Sequence, residues 1–471
     1  MSSLAPLTLE IGLGALLLIV FVAGLAGRGE DRRGIAALAT AGVLVLSVGS
    51  MFVTPAGSAL GGMFVLDGLA IFAKRLFLAA TFIGLLAGLS LPDRVFARRA
   101  AEYHLLVLSS LLGMLVLASA RDLILLFLAF ELMSIPLYVL AGFLKRDAGA
   151  VEASLKFFLV GSVSSAVMAY GLSFVYGATG TTDLAKIAAA ATPNPLLTLG
   201  LVMALVGFAF KIAAFPFHMW VPDTYEAATT PFVAWLSVAP KAAGFVALFR
   251  VYFEGGGDRA AAWVTTAALL ATITMLAGNL MAIPQVNIKR MLAYSGIAHI
   301  GYMLVGLAAA SSAGVATVLF YLVAYLFGNM GAFLVAEVVA QAEGSESIEA
   351  YRGLAQRSPV LALCMLLFLL SLGGIPFVAG FWAKLYVFWA AAEQGLYWLV
   401  LVGAVLTVVA LFYYLMVAKR MYIDPPPSRD PLPVPFLLQV CIAACVAGVV
   451  VLGVYPKPMV MAALRVASTL F

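Results

Sequence analysis

The sequence predicts an all-α protein that crosses a membrane many times. Its composition is 64% hydrophobic and only 10% charged, with a mean hydropathy of +1.10, so lipid must surround most of the chain. Apolar runs of spanning length recur from one end to the other. They leave no stretch that is long enough for a separate soluble domain.

We count about fourteen such runs and interpret each as a tilted helix of roughly 20 residues. The twelfth run is long and looks interrupted. The predicted spans are residues 7–26, 34–53, 66–90, 103–119, 122–143, 153–177, 196–218, 231–252, 263–283, 290–309, 314–340, 359–392, 397–418 and 434–456.

The basic residues of the loops predict the orientation. The odd-numbered loops carry about 15 Lys and Arg residues, against about 6 in the even-numbered loops and termini. The positive-inside rule therefore puts the odd loops in the cytoplasm and both termini on the periplasmic side. No basic stretch is interleaved with exposed aromatic residues, so no nucleic-acid partner is predicted. The basic residues in this comparison of odd and even loops include Arg28, Arg32, Arg94, Arg259 and Arg429.

Two spans, the seventh and the twelfth, are predicted to be broken helices. Each contains a proline in mid-span, Pro216 or Pro376, with a lysine within about two turns. The carbonyl that a proline frees cannot be satisfied by lipid, so such breaks face protein or a water-filled cavity. The alternative is that proline is simply common in membrane helices.

The spacing of the two breaks predicts an inverted repeat. They lie five helices apart, and because five is odd, two five-helix units would have opposite orientations. We therefore expect three N-terminal helices in residues 1–102, a first repeat (helices 4–8) in 103–252, a second repeat (helices 9–13) in 263–421, and helix 14 with a tail in 434–471.

Ionisable residues inside the spans are the candidate functional groups. A charge at the centre of a bilayer costs at least about 2.5–3.5 kcal/mol, so it persists only when it is paired, hydrated or needed for function. Glu131 lies in the fifth span, and Lys211, beside the first break, is its predicted partner. At about 4 Å and an effective dielectric of about 20, the attraction is roughly 4 kcal/mol. The pair is either a proton switch or a static bridge between helices.

Three further lysines extend this series. Lys241 follows Pro240 and is the predicted next station, and Lys384 is expected to end the path toward the opposite surface. Lysine suits the task because, unlike arginine, it can release its proton when buried. Lys156, near the start of the sixth span, either belongs to the path or extends to the membrane interface.

Two histidines, His218 and His299, lie in or near helix interiors. Each is interpreted either as a proton relay or as a hydrogen-bonded packing residue. Lys74 and Arg75 in the third span have no obvious role, and a contact with another subunit or with lipid headgroups is one explanation.

Other chemistry has no support in the sequence. The cysteines Cys364, Cys441 and Cys445 lack metal-ligand spacing, and no nucleotide-binding motif or nucleophile arrangement occurs. The chain is therefore expected to carry no cofactor or metal of its own and to move something rather than to make or break bonds.

Several motifs resemble one family. They are the segments 154–161 and 176–180, the long segment 210–226 with Pro231 and Lys241 beyond it, the segment 287–302, and the segment from Gly373 to Lys384. In these motifs the chain closely resembles the antiporter-like membrane subunits of bacterial NADH–quinone oxidoreductase (respiratory complex I), and among them the N type. The resemblance covers roughly residues 65–420. One departure is Ala227-Ala-Thr-Thr-Pro231, where relatives often have Gly-Ala-Pro-Thr-Pro.

The resemblance implies roles for the candidate residues. Glu131 and Lys211 would be the regulating pair, Lys241 a connecting lysine and Lys384 the terminal lysine, within fourteen helices that include two inverted repeats. Flavin, iron–sulfur clusters and quinone would be held by partner subunits, with K-type and M-type neighbours in a bacterial inner membrane. Two alternatives are a subunit of a multisubunit cation/proton antiporter or membrane-bound hydrogenase, and a scaffold whose buried charges only orient helices.

Overall fold

The computed structural model describes residues 4–26, 33–91, 96, 98–190, 194–256, 263–428 and 430–470. Most of this chain is helical, and a short antiparallel pair joins β1 (Gly57–Ala59) to β2 (Phe64–Leu66). Within the described ranges, thirteen helical stretches are long and apolar enough to cross a membrane. The predicted class, an all-α polytopic membrane protein, is confirmed.

The predicted orientation is not tested by this structure. Five of the basic residues on which it depends, Arg28, Arg32, Arg94, Arg259 and Arg429, lie outside the described residues.

The chain forms two compact units, of which the first comprises Met1–Ile212, Ala239–Ala261 and Ser468–Phe471. Its α-helices are α1 (Thr8–Ala26), α2 (Arg33–Ser50), α3 (Gly68–Gly88), α4 (Ala100–Ser119), α5 (Leu123–Ala141), α6 (Ala148–Thr179), α7 (Leu184–Ala189), α8 (Pro195–Ile212) and α11 (Ala239–Phe249).

The second unit comprises Ala213–Val238 and Ala262–Ala467. Its α-helices are α9 (Trp220–Ala227), α10 (Thr230–Leu236), α12 (Val264–Ala282), α13 (Ile288–Ala308), α14 (Ser312–Glu343), α15 (Leu354–Arg357), α16 (Pro359–Gly373), α17 (Ala379–Glu393), α18 (Tyr397–Tyr422), α19 (Phe436–Val454) and α20 (Lys457–Ala467).

Both predicted helix breaks are present. Helix α8 ends at Ile212, followed by Ala213 at a positive φ of 66°, and the next helix begins only at Trp220. The predicted twelfth span, 359–392, is two shorter helices, α16 and α17, that flank a loop around Pro376. This division explains why thirteen candidate spans are found in the described residues where about fourteen runs were predicted.

The helices begin and end where the sequence provides caps. Asp122 accepts hydrogen bonds from the first amides of α5, and Asn287 does the same for α13. The two long helices, α6 and α14, both end at a left-handed glycine, Gly180 with φ of 69° and Gly344 with φ of 64°. Each unit therefore contains a 32-residue helix that follows a capped helix.

The first three helices are held by charged side chains that the sequence left without a role. The Lys74 ammonium, fully buried in α3, pairs with the Glu10 carboxylate of α1 at 2.7 Å. Arg75 donates to the carbonyls of Ser50, Met51 and Val53 at the end of α2. Contacts within the chain thus account for Lys74 and Arg75.

A second ion cluster anchors the helix that carries Lys241. Arg250, fully buried just after α11, makes two hydrogen bonds to Asp67, at 2.6 and 2.8 Å, and also pairs with Glu254. Burial by itself raises the pKa of the Asp67 carboxyl, but the attraction of Arg250 outweighs it and holds that pKa below its ordinary value. Arg121 pairs with Glu254 at the edge of the same cluster.

Candidate functional site

The acid of the predicted pair lies on α5, where Glu131 and Ser134 are three residues apart. This spacing puts both side chains on the same face of the helix. The Glu131 carboxylate accepts a hydrogen bond from the Ser165 hydroxyl of α6 at 2.6 Å. Ser134 is fully buried, and its hydroxyl donates to the Phe130 carbonyl at 2.5 Å.

Lys211 reaches the same face of α5 from the end of α8. Its side chain is 2% exposed, and its ammonium donates to the Ser134 hydroxyl at 2.6 Å. The ammonium also lies 5.0 Å from the ring centroid of Phe130 and 5.6 Å from that of Phe210. Aromatic faces stabilise a cation at such distances.

Glu131 and Lys211 do not form the direct ion pair expected from the sequence: Lys211 bonds to Ser134, one turn from Glu131 on α5, and the Glu131 carboxylate bonds to Ser165. A hydroxyl can both donate and accept, so Ser134 is able to bond the lysine in its charged form and in its neutral form. The Glu131 charge still acts on Lys211 through space in a poorly screened interior. The group of Glu131, Ser134, Ser165 and Lys211 is called the acid–lysine cluster below.

Lys241 lies near this cluster on α11. It is 1% exposed, and Gly244, one turn further along, faces α8. A Cβ added at Gly244 would lie 3.2 Å from Cγ of Lys211 and 2.8 Å from Cγ2 of Ile212. Because Lys241 and Gly244 share a helix face, the two lysines lie at the same packed interface.

In the second unit, Lys384 lies in the second turn of α17, and its side chain reaches back to the break between α16 and α17. The residue is 4% exposed. Its ammonium donates to the Gly373 carbonyl at 3.3 Å and lies 4.5 Å from the ring centroid of Tyr302. The last carbonyls of a helix have no intrahelical partner and carry partial negative charge. The broken helix therefore supplies the dipole that the lysine faces.

Gly374 makes this arrangement possible. Its φ is 83°, a conformation that glycine adopts without strain, and a Cβ at this position would lie 2.9 Å from Cδ of Lys384. The sequence Gly373-Gly374 thus ends α16 and leaves room for the lysine stem.

His299 belongs to a buried network of neutral groups on α13, α14 and α18. Its Nδ1 is 2.7 Å from the Tyr321 hydroxyl and its Nε2 is 3.2 Å from the Tyr414 hydroxyl. The Tyr414 hydroxyl is in turn 2.5 Å from that of Ser295. Both ring nitrogens of His299 are hydrogen-bonded, as relay and packing roles both require.

His218 and Lys156 lie outside these clusters. His218 is 5% exposed in the turn before α9, with its ring stacked on Phe215 at 5.1 Å between centroids. Lys156 is 46% exposed and pairs with Glu152, one turn away on α6, at 2.7 Å. Its exposure separates Lys156 from the buried lysines Lys211, Lys241 and Lys384.

Several polar residues of these sites were not predicted from the sequence. Ser134 could have been found from its spacing of one turn from Glu131, but Ser165 and Tyr302 carry no signal that separates them from other membrane-helix residues. Lys289, counted only as a loop charge, is 3% exposed and binds the Ala228 carbonyl at 3.0 Å and Glu346 at 2.6 Å. In the described ranges, no group of three His, Cys, Asp or Glu side chains could hold a metal ion.

This fold, with its partly buried carboxylate and its buried lysines, defines a class, the antiporter-like transmembrane proteins. Residues 120–410 match the family model described as NADH:quinone oxidoreductase/Mrp antiporter, transmembrane. The chain belongs to the NADH-quinone oxidoreductase subunit N family, because a relative of that name from Moorella thermoacetica is 43% identical over 475 residues and the match covers 100% of both chains.

Two further comparisons agree with this membership. The F(420)H(2) dehydrogenase subunit N of Methanosarcina mazei is 39% identical, and the match covers 86% of this chain and 84% of the relative. A chain of respiratory complex I from Thermus thermophilus superposes with a TM-score of 0.83 at 32% identity, covering 96% of this chain and 99% of that one.

Proposed function

We propose that this chain is a proton-translocating subunit in the membrane arm of a NADH–quinone oxidoreductase. Quinone reduction in partner subunits drives the transfer, and this chain contributes buried groups that take up and release H⁺. Full-length identity of 43% to a subunit N supports the assignment. The partners are other membrane-arm subunits, K-type and M-type chains among them, in a bacterial inner membrane with both termini on the periplasmic side.

We assign the transfer to Glu131, Lys211 and Lys241 in the first unit and to Lys384 in the second. The observation that carries this proposal is the environment of Lys211, whose ammonium binds a hydroxyl one turn from the carboxylate. In the described part of the chain, Lys211 is in ion-pair contact with no carboxylate. A buried cation without a direct counter-ion is a poor structural clamp, which favours proton exchange over the scaffold hypothesis.

The hydroxyl of Ser134 supplies the chemistry of the switch. When Lys211 is protonated, Ser134 accepts its hydrogen bond; when Lys211 is neutral, the Ser134 hydroxyl is able to turn from the Phe130 carbonyl and donate to the amine. Movement of the Glu131 charge toward or away from the lysine changes which state is favoured. Release of the proton toward Lys241, on the facing helix, completes the step.

We also propose the repeat organisation that the sequence predicts, with repeats in 103–252 and 263–421 after the helices of 1–102 and before 434–471. Matching features within the two units support it. The bridge between Asp122 and Asp183 encloses the α5–α6 pair, and the bridge between Asn287 and Ser347 encloses the α13–α14 pair. Both pairs contain a 32-residue helix that ends at a left-handed glycine.

The histidines and Lys156 take secondary roles in this proposal. His299, bonded to two phenols, is suited to relay protons within the second unit. His218 lies in the first break and is a second relay candidate. Lys156 stays at the interface with Glu152.

The electron donor is assigned to partner subunits and not to this chain. Its relatives carry the names of two different dehydrogenases at 43% and 39% identity, so a subunit of this kind is compatible with more than one donor. Flavin, iron–sulfur clusters and the quinone site belong to those partners.

Purification from native membranes in mild detergent tests the assignment. We expect the chain to migrate with NADH-oxidising activity and with other membrane-arm subunits, and a Lys211→Met variant to co-purify equally well. A free pool of the chain that exchanges Na⁺ for H⁺ in vesicles would overturn the assignment in favour of a cation/proton antiporter.

A further inference from the structure

A cavity opens in the first unit where α2 begins, α3 ends and α4 begins. Its volume is about 210 Å³, which is room for about seven water molecules at about 30 Å³ each. Its lining includes Arg33 of α2, Gly88 of α3 and His104 of α4. The loops at this end are the first and the third, which the charge bias predicts to face the cytoplasm.

Positive charge surrounds this cavity. Arg33 is the first residue of α2 and lines it, and the exposed Arg98 and Arg99 lie between two further lining residues, Phe96 and Ala100. The first turns of α2 and α4 also meet here, and a helix N-terminus carries partial positive charge and unpaired amides. Among the described residues that line the cavity, none is acidic. The site therefore favours an anion.

A buried hydrogen-bond acceptor lines the same cavity. His104 is 6% exposed, and its Nδ1 lies 2.6 Å from the Ala100 carbonyl. Because a carbonyl only accepts, Nδ1 carries the hydrogen, and Nε2 of the neutral ring is left as an acceptor. Within the described ranges, Nε2 has no hydrogen-bond partner. A buried acceptor without a donor is costly, so a ligand that offers a hydroxyl here would be stabilised.

The cavity is already formed in the absence of a ligand. The rings of Phe96, Tyr103 and Phe143 pack pairwise at one side, with centroids 5.2–5.4 Å apart. On the α3 side, a Cβ added at Gly88 would meet no atom within 4 Å. A preformed site requires little ordering when a ligand binds, which favours affinity.

The surface beside the cavity indicates a lipid rather than a soluble anion. Only 33% of the residues of α2 are buried. Leu38 and Val45, two turns apart on one face of this helix, are exposed apolar residues that lead from the cavity into the membrane span. A phosphate at the cavity and acyl chains along α2 would thus belong to a single molecule. Basic pockets between helices at the cytoplasmic side are typical sites for anionic lipid headgroups.

We propose that this cavity binds the headgroup of an anionic phospholipid that carries a hydroxyl, of which phosphatidylglycerol is an example. Arg33 pairs with the phosphodiester, a headgroup hydroxyl donates to Nε2 of His104, and the acyl chains lie along α2. The bound lipid joins the ends of α2, α3 and α4. This site is separate from the acid–lysine cluster and from Lys384, so it adds a binding function to the proposed proton transfer.

Photo-crosslinking of the intact purified complex in proteoliposomes tests the proposal. The probe is phosphatidylglycerol with a photoactivatable group on an acyl chain next to the glycerol, and phosphatidylcholine with the same group is the reference. Labelled peptides are identified by mass spectrometry. We expect label in the first turns of α2 and α4, at least about fivefold stronger with phosphatidylglycerol, because each basic residue near the headgroup contributes about that factor.

Removal of the charge should weaken this labelling. Arg33→Gln is expected to lower the phosphatidylglycerol label about fivefold and to leave the phosphatidylcholine label unchanged. Arg352→Gln is the matched control, because Arg352 is an exposed arginine of another odd-numbered loop, in the second unit, and does not line the cavity.

Filling the cavity should have the same effect without a change of charge. In Gly88→Leu the new side chain enters open space, so the helices need not move. The phosphatidylglycerol label is expected to fall to the phosphatidylcholine level. Gly49→Leu, at the opposite end of α2, is the control, since a Cβ added there also meets no atom within 4 Å.

Four results would overturn the lipid site, and none of them bears on proton pumping. They are equal labelling by the two lipids, native labelling in both Arg33→Gln and Gly88→Leu, an equal loss in the two controls, and no label at the cavity of the assembled complex. Inorganic phosphate, added at constant ionic strength, separates the two sources of the anion. Labelling that persists supports the lipid, and labelling that disappears shows a site for a soluble anion instead.

Discussion

The two units present their lysines in different electrostatic settings. Counted from the N-caps Asp122 and Asn287, Ser134 of α5 and His299 of α13 occupy the same position, twelve residues along. The position of Glu131, nine residues along α5, is taken by Gly296 in α13. The first unit thus has a carboxylate where the second has only a hydrogen atom.

The surroundings of Lys211 and Lys384 also differ in charge. Lys211 lies before its break and binds a serine beside an acid, whereas Lys384 lies after its break and binds a helix carbonyl over a tyrosine ring. Formal charge therefore tunes the first site, and a helix dipole and an aromatic ring tune the second. A proton site in a membrane can be built in either way, but only the first can be switched by moving a charge.

Substitution of Lys211 is expected to have the largest effect. Lys211→Met removes the proton carrier, and Lys211→Arg retains a cation that cannot release its proton, so both should slow coupled turnover on the order of a hundredfold. Turnover of the assembled complex in proteoliposomes measures this. Near-normal pumping by the arginine variant would mean that Lys211 serves only as a fixed charge.

Removing the acid sharpens the comparison of the units. Glu131→Gln leaves the hydrogen bond to Ser165 possible but removes the charge, and we expect roughly tenfold slower pumping. Gly296→Ala, at the equivalent position of α13, is the matched control, and it should leave the pH profile of pumping unchanged. If the two variants altered that profile alike, charge would not distinguish the units.

The Ser134 hydroxyl is predicted to matter less than either charge. Ser134→Ala leaves the buried Lys211 ammonium without its hydrogen bond, at a cost of about 1–3 kcal/mol in the charged state. Pumping should slow several-fold, and Ser134→Thr, which restores a hydroxyl, should recover most of it. Recovery can be read from initial rates of vesicle acidification. No recovery by threonine would point to packing at this position.

The Gly374→Ala substitution tests the helix end that Lys384 faces. The residue has φ of 83°, so alanine is strained by roughly 1 kcal/mol, and its Cβ would meet the lysine stem. We expect a small loss of thermal stability with a clear loss of pumping. Gly395→Ala, at φ of 75° with open space around it, is the control for strain alone. Equal pumping by the two variants would contradict the contact with Lys384.

The smallest effect is expected at Lys156. Its pair with Glu152 is exposed on a helix surface, and such pairs contribute about 0.3–0.5 kcal/mol. Lys156→Ala should therefore assemble and pump within about twofold of the native complex. A block of pumping in this variant would return Lys156 to the proton path.

The fold could be predicted from the sequence because hydropathy and helix breakers act locally. The interruptions at Pro216 and at Gly373-Gly374 can be recognised from the residues themselves. The apolar spans and the lysines within them can be recognised in the same way. Contacts such as Lys74 with Glu10 were not predictable, because they join helices that are distant in sequence.

The chemistry of the sites was predictable only in part. The sequence suggested that Glu131 and Lys211 form a charge pair, but the bond of Lys211 to Ser134 depends on the side-chain geometry at α8 and α5. The neutral groups around Lys384 were missed for a related reason. A tyrosine in a membrane helix, such as Tyr302, gives no sequence signal until the fold brings its ring to the lysine.

The proton-to-electron ratio of the reconstituted complex that carries Lys211→Met and Lys384→Met together tests the central claim most directly. With assembly verified on a native gel, the account predicts that electron transfer either stalls or continues at a lower ratio. A fully assembled complex with normal turnover and an unchanged ratio would contradict it.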